Sequence, residues 1–142
     1  MNKTILISLI IISCFACKKD SMKDTDLLET TWFLSYIQDT KTQAITNYPS
    51  DAAKKISIIF SDSSNDIGFS GICNGGAGTY TYSTNTGEIK VTDLGTTLIW
   101  CKYVEWETYT VQNLNYASSY KIDGNNLVIY SNGVYNLYFT KN

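Results

Sequence analysis

The groups in this chain whose type and spacing could support chemistry are few. They are the cysteines Cys73 and Cys101, the carboxylates Glu105 and Glu107, the pair Asp62 and Asp66, and the glycine-rich run Gly71-Ile72-Cys73-Asn74-Gly75-Gly76-Ala77-Gly78. Two thiols can bridge, react as nucleophiles or ligate a soft cation. In an oxidising compartment a pair more often bridges than reacts, and a Cys73 to Cys101 bridge would close a 29-residue loop, contributing roughly 3.5 kcal/mol through chain entropy. Free buried thiols and a reactive or metal-binding pair are the rival readings. No CxxC lies within the domain, which removes the usual dithiol redox spacing.

The remaining constellations read as structural. Glu105 and Glu107 could form a general acid/base pair only if they shared a face, and a separation of two on a helix points them apart; a solvated helix face is expected. Asp62 and Asp66 lie in Ser-Asp-Ser-Ser-Asn-Asp, which lacks the ligand order of a calcium loop and suits a polar hairpin tip. The glycine run has no Gly-Lys-Ser/Thr and no helix pattern behind it, so it is not a phosphate cradle. A bulged turn or a close approach between strands is the better reading. No metal site and no cofactor are expected.

Composition narrows the function classes further. Histidine is absent, which removes the commonest general base and zinc ligand. All 11 basic residues are lysine and the net charge is −2, so the bidentate guanidinium forks typical of nucleic-acid readers are missing and nucleic acid is not an expected partner. The 11 tyrosines, with many threonines, suit half-buried pleated surfaces. Tyr80, Tyr82, Trp100 and Trp106, with Tyr130, Tyr135 and Tyr138, are read as exposed aromatics that could line a recognition surface.

The amino terminus carries an address. After Lys3, the run Ile5 to Ile12 is apolar except for Ser8, and it continues to Cys17, a signal-peptide profile. These 13 residues fall short of the ~20 needed to span a bilayer. A small residue before cysteine marks a lipoprotein cut: Cys14-Phe15-Ala16-Cys17 places Cys17 directly before the polar switch, with Ile11-Ile12-Ser13-Cys14 as the alternative site at Cys14. The organisation expected is a signal peptide over 1–16, a lipidated cysteine and polar tether over 17–26, and one domain over 27–142. Lys18-Lys19-Asp20 resembles the cue that directs some Gram-negative lipoproteins to the cell surface. The expected address is the cell envelope, at the outer membrane, held by amino-terminal lipid.

The elements that must position these groups are mostly strands. Trp32 to Gln38, Ile56 to Phe60, Ile67 to Ile72, Thr79 to Ser83 and Glu88 to Val91 read as a meander of strands punctuated by turn residues. Tyr120 to Ile122, Leu127 to Tyr130 and Val134 to Thr140 follow, joined by Asp123-Gly124-Asn125 and Asn132-Gly133, which tolerate the positive φ of tight turns. The stretch from Gln38 to Ile56 reads as a loose polar connection. Lys102 to Leu114 fits a helical stripe through Val104, Val111 and Leu114, flanked by Tyr103 and Thr110.

These stations resemble the META domain family, which includes the bacterial heat-shock protein HslJ. The resemblance runs from Trp32-Phe33-Leu34 through Ile58-Ile59-Phe60, Phe69-Ser70-Gly71-Ile72-Cys73-Asn74 and Gly78-Thr79-Tyr80. It continues through Thr96-Thr97-Leu98-Ile99-Trp100-Cys101, Glu107, Leu114, Ser119-Tyr120-Lys121-Ile122 and Asn126-Leu127-Val128-Ile129-Tyr130. The chain departs from the family pattern at Ile72, where glycine is frequent, and at Leu98-Ile99. The resemblance implies an α+β fold, mainly antiparallel β, curled toward a cracked barrel with one helix packed on it. It also implies an envelope or stress-related setting and brings no catalytic residues. The functional expectation is a non-enzymatic, lipid-anchored module that binds or supports an envelope protein or small ligand. The alternatives are a thiol-dependent enzyme using Cys73 or Cys101, and a protease-inhibitor-like binder presenting Gly71 to Gly78.

Overall fold

The computed structural model describes residues 24–142; the leader, Cys14, Cys17 and most of the expected tether lie outside them. Nine strands and one helix follow in the order β1 (Trp32–Asp39), β2 (Ile45–Asn47), β3 (Ser57–Phe60), β4 (Asp66–Ser70), β5 (Gly75–Tyr82), β6 (Ile89–Thr96), α1 (Val104–Asn115), β7 (Ala117–Asp123), β8 (Asn126–Ser131) and β9 (Tyr135–Thr140). The strands form one sheet in the order β6-β5-β4-β3-β1-β9-β8-β7, with β2 paired to β1 off this path. All strand pairs are antiparallel. The two ends of the sheet meet at a Glu88 to Ser119 bridge, so the sheet is a nearly closed barrel with one seam, as the α+β reading anticipates.

Alternation of side chains sends one face of each strand inward. In β1, Trp32 and Leu34 point into the core, and a register shift between Leu34 and Tyr36 reverses the phase, so that Ile37 is the next buried residue. The same device operates in β6, where Ile89 and Val91 are buried, Asp93 takes a positive φ of 55°, and Leu94 resumes the inward row. These bulges bend the strands into the barrel wall. Phe60, Ile67, Leu127, Ile129, Leu137 and Phe139 complete a continuous apolar interior.

Closure depends on the glycine run, which the sequence reading left between a bulged turn and a close approach. Gly76 and Gly78 lie within β5, and a Cβ at Gly78 would stand 2.7 Å from the Leu94 backbone nitrogen. From Gly75 to Gly78 the run is therefore strand, pressed against β6 where no side chain fits at Gly76 or Gly78, while Gly71 to Asn74 form the turn before it. Gly133 departs from the turn expectation in another way. Among the described glycines only Gly87 and Gly124 have positive φ; a Cβ at Gly133 would meet the Asn113 Oδ1 at 2.5 Å, so proximity to the helix is what selects glycine there.

Three further boundaries differ from expectation. The connection before Ile56 contains β2, whose residues are all exposed, so no buried face left a pattern in the sequence. Strand β4 ends at Ser70, and Ile72 lies in the turn beyond it. The last residues of the expected tether belong to the fold: Asp24 accepts a hydrogen bond from the Tyr120 hydroxyl at 3.0 Å and Asp26 pairs with Lys141, just ahead of the buried Leu27 and Leu28 that open the expected domain.

The register defines two ends of the barrel. At one lie the Ser61–Asn65 turn, the turn after Tyr82 and the entering segment from Asp24, tied together by Glu29 N–H to Phe60 O and Tyr120 N–H to Gly87 O. At the other lie the turn between Ser70 and Gly75, the loop after Thr96, and the start of α1. Among the described residues no helix is long and apolar enough to cross a membrane.

Candidate functional site

Cys73 and Cys101 form a disulfide with a Cα separation of 6.4 Å. The bridge joins the turn that precedes β5 to the loop that leads into α1, at the end of the barrel remote from Asp24. With both sulfurs bonded, neither is the thiolate that nucleophilic attack requires. The two sulfurs and a Glu107 carboxylate oxygen lie within 4.8 Å of one another, yet disulfide sulfurs do not offer the charged donors a soft cation takes.

Glu107 is 4% exposed, which corrects the expectation of a solvated helix face for this pair; only Glu105 is exposed. Its Oε1 accepts hydrogen bonds from the backbone N–H of Cys73 at 2.7 Å and of Asn74 at 3.3 Å, and its Oε2 accepts from the Asn74 Nδ2 at 2.6 Å. A buried carboxylate needs such donors to offset its lost hydration. Gly71 packs directly on it, since a Cβ there would stand 2.5 Å from the Oε1. The signal was present in the spacing: Glu107 lies three residues before Thr110 and seven before Leu114, so the apolar stripe that defines α1 already contained it.

Asn74 is the hub that sequence reading missed. Besides its bond to Glu107, its Nδ2 donates to Ile99 O at 2.8 Å. Its Oδ1 accepts from the Ile99 N–H at 2.7 Å and the Thr97 hydroxyl at 2.8 Å. The carboxamide thus imitates a neighbouring strand for Ile99, using both donor and acceptor as a peptide group would. Thr97 N–H to Gly75 O at 3.0 Å adds a backbone tie. The other flank of the loop is held by Asp51, which accepts from the Lys102 Nζ at 2.8 Å and the Tyr103 hydroxyl at 2.7 Å. The hydrogen bond from Lys102, with that from Tyr103, lowers the Asp51 carboxyl below its ordinary range, and the same pairing raises Lys102.

What this scaffold presents is apolar. Leu98 is 97% exposed, Ile99 57% and Trp100 84%. Beside them runs a groove of about 350 Å³ between the loop and α1, floored by Val104 and Val111 and rimmed by Thr96, Thr108 and Gln112. Three consecutive large apolar side chains on a pinned loop form a patch of the sort that marks interaction sites.

The aromatic set expected to share a surface is divided. Trp100 is exposed at this end, while Trp106 is buried, with Tyr48 packed edge-on at 5.3 Å. Burial pushes the Tyr48 phenol up, and the nearby Glu107 carboxylate adds to the rise. Tyr80 is a core residue against Phe60, its hydroxyl donating to Ser61 O at 2.9 Å. Tyr82 is half-buried at the opposite end of β5, where it lines a separate cleft of about 510 Å³ along the seam with Ile89 and Ala117. Period-two alternation carried Tyr80 inward and Trp106 follows the helix stripe; Tyr135 and Tyr138 are half-buried, and of the set only Trp100 and, on β8, Tyr130 are exposed. Asp66 pairs with Thr79 inside the sheet and Asp62 sits in the β3–β4 turn.

Two solved structures share this architecture. One is a protein from Burkholderia xenovorans, with a TM-score of 0.66 and 19% identity, over 82% of this chain and 84% of that one. The other is a DUF4847 family protein from Bacteroides vulgatus, with a TM-score of 0.63 and 16% identity, over 82% and 94% of the two chains. At such identities the likeness speaks to fold. No curated protein matches the chain in sequence. The META domain model matches residues 25–142, the same span that holds the barrel, the bridge and the pinned loop: the chain belongs to the META domain family.

Proposed function

We propose that this chain is a lipid-anchored envelope lipoprotein, held at the outer membrane through Cys17, whose META domain is a non-enzymatic binding or support module that meets another envelope component through the Leu98-Ile99-Trp100 tip. One observation carries the reading. The apolar tip is held by the disulfide, by Asn74 and by Asp51, so its exposure is enforced by the fold. The apolar leader and the polar segment after Cys17 support the address. The chemistry of these groups favours binding over turnover: the bridge occupies the thiols, and the buried carboxylate is saturated by donors from the Cys73–Asn74 turn.

Mass spectrometry of the amino-terminal peptide tests the anchor, with a diacylglyceryl group expected on Cys17 and Cys17→Ala expected to move the protein into the soluble fraction. An unmodified amino terminus would overturn it. For the domain, a hydrolase and oxidoreductase panel is expected to show no turnover. Activity that disappears in Cys101→Ser would establish a thiol enzyme instead.

A further inference from the structure

We infer that the component met by the tip is the membrane itself: Leu98, Ile99 and Trp100 insert into the headgroup–acyl boundary of the bilayer that carries the tether, so the domain meets lipid directly at its tip and through the tether from its opposite end. This rests on the lipoprotein reading for the presence of that bilayer.

The tip has the chemistry of an interfacial wedge. From Leu94 to Cys101 the sequence contains no charged residue. Entry into lipid is penalised by unpaired backbone groups, and part of that cost is met beforehand: Ile99 uses both its N–H and its carbonyl on Asn74, and Thr97 N–H is bonded to Gly75. A protein interface normally carries a hydrogen bond for every 100–200 Å² or so, whereas the side chains of Leu98, Ile99 and Trp100 offer a single donor, the indole N–H. An apolar body with one polar handle is what suits tryptophan to the membrane boundary.

The length of chain before the domain fits the same arrangement. Asp24 enters at the end of the barrel opposite the tip, and β6 covers most of that height in eight residues, roughly 20 Å at the tilt of barrel strands. Cys17 precedes Asp24 by seven residues, a reach of at most about 25 Å. Fully extended, the tether therefore covers the barrel's height, so the tip can reach the bilayer while Cys17 stays in it, and the link makes that contact intramolecular. The charges around the tip are the exposed Glu105 and the mutually paired Lys102 and Asp51, so attraction to anionic headgroups contributes little.

Trp100 reports on its own insertion, because Trp32 and Trp106 are buried. The test reconstitutes the full mature chain into phosphatidylcholine vesicles containing lipids brominated along the acyl chain. The expected result is quenching and a blue shift of the Trp100 emission, absent in Trp100→Phe and insensitive to 0.5 M salt, on the order of the screening limit. Leu98→Asp should lower the inserted fraction at least about tenfold without changing the melting curve. A wild-type protein that floats with vesicles while Trp100 stays quenchable only from water would leave the anchor standing and sink the insertion. Loss of a dimer in Leu98→Asp, with no bromine quenching in the wild type, would overturn it in favour of a second copy. A Cys17→Ser chain that no longer floats by its amino terminus, yet shows bromine quenching when lipid is added in excess, would support insertion independently of the anchor.

Discussion

Replacing Asn74 by alanine removes five hydrogen bonds at one position: two accepted by Oδ1 from Ile99 N–H and Thr97, and three donated by Nδ2, to Ile99 O, to Glu107 and, weakly, to the Cys73 sulfur. The Thr97 hydroxyl can turn to water. The Ile99 peptide groups and the Glu107 Oε2 lose their described partners, and each group left unsatisfied costs about 1–3 kcal/mol, with the carboxylate at the upper end. Partial rescue by water at the exposed Ile99 lowers the sum, so the expected loss is about 3–4 kcal/mol, or roughly 10–15 °C in Tm for a domain of this size. Asn74→Asp is the sharper perturbation. It keeps the shape and the acceptor but faces the Glu107 carboxylate with a second one in place of an N–H donor, so at pH 7 it should destabilise at least as much as alanine. Urea unfolding followed by near-ultraviolet circular dichroism measures both. If Asn74→Ala unfolds within about 1 kcal/mol of wild type, the carboxamide is not the hub described, and if Asn74→Asp matches wild type, Glu107 is not held as a buried carboxylate.

Other outcomes follow from the same geometry. Removing both cysteines with Cys73→Ala and Cys101→Ala should cost about 3.5 kcal/mol, read by urea unfolding, with dithiothreitol giving the wild type a similar loss. Gly133→Ala should destabilise by about 2 kcal/mol because its Cβ displaces the Asn113 carboxamide that accepts from Tyr135 N–H. Gly124→Ala should cost only about 1 kcal/mol, since it meets open space and pays for positive φ alone; reversal of that order in thermal melts would contradict the packing at Gly133. Burial pushes the Tyr80 phenol from its ordinary 10.0 up to about 12. The folded state therefore holds the proton more tightly than the unfolded one, and the associated stability is complete below pH 10 and is lost as pH rises from 10 toward 12. Phenolate absorbance should show a late class of tyrosines that shrinks in Tyr80→Phe.

The strands that bury one face were legible because Trp32 to Gln38 and Leu127 to Tyr130 alternate where the core needs them to. Strand β2 was silent because all its residues face water. The bridge was legible from cysteine number together with the expected oxidising address. The hub was less so: an asparagine after a cysteine carries no periodic signal, and its role depends on Ile99 and Glu107, 25 and 33 residues away. Glu107 was hidden by its charge, which argues for solvent unless the helix stripe is followed strictly. Of the apolar tip, Trp100 was legible as an exposed aromatic, whereas Leu98 and Ile99 carried no mark of exposure, and the fold turns all three outward.

The seam has a consequence for crowding. Past the Glu88 to Ser119 bridge the edge of β6 would be open, but the Asn115 side chain accepts from Leu94 N–H at 3.1 Å and donates to Leu94 O at 3.0 Å. One helix-end carboxamide thus occupies the peptide groups through which a stray strand would add itself. Proteins gathered on a two-dimensional surface encounter their own copies far more often than free ones do, and an uncapped strand border would there become a template for fibrous growth. By blunting that border with a side chain instead of a further strand, the fold leaves the cleft along its seam uncovered while denying the Leu94 peptide groups to another copy's backbone.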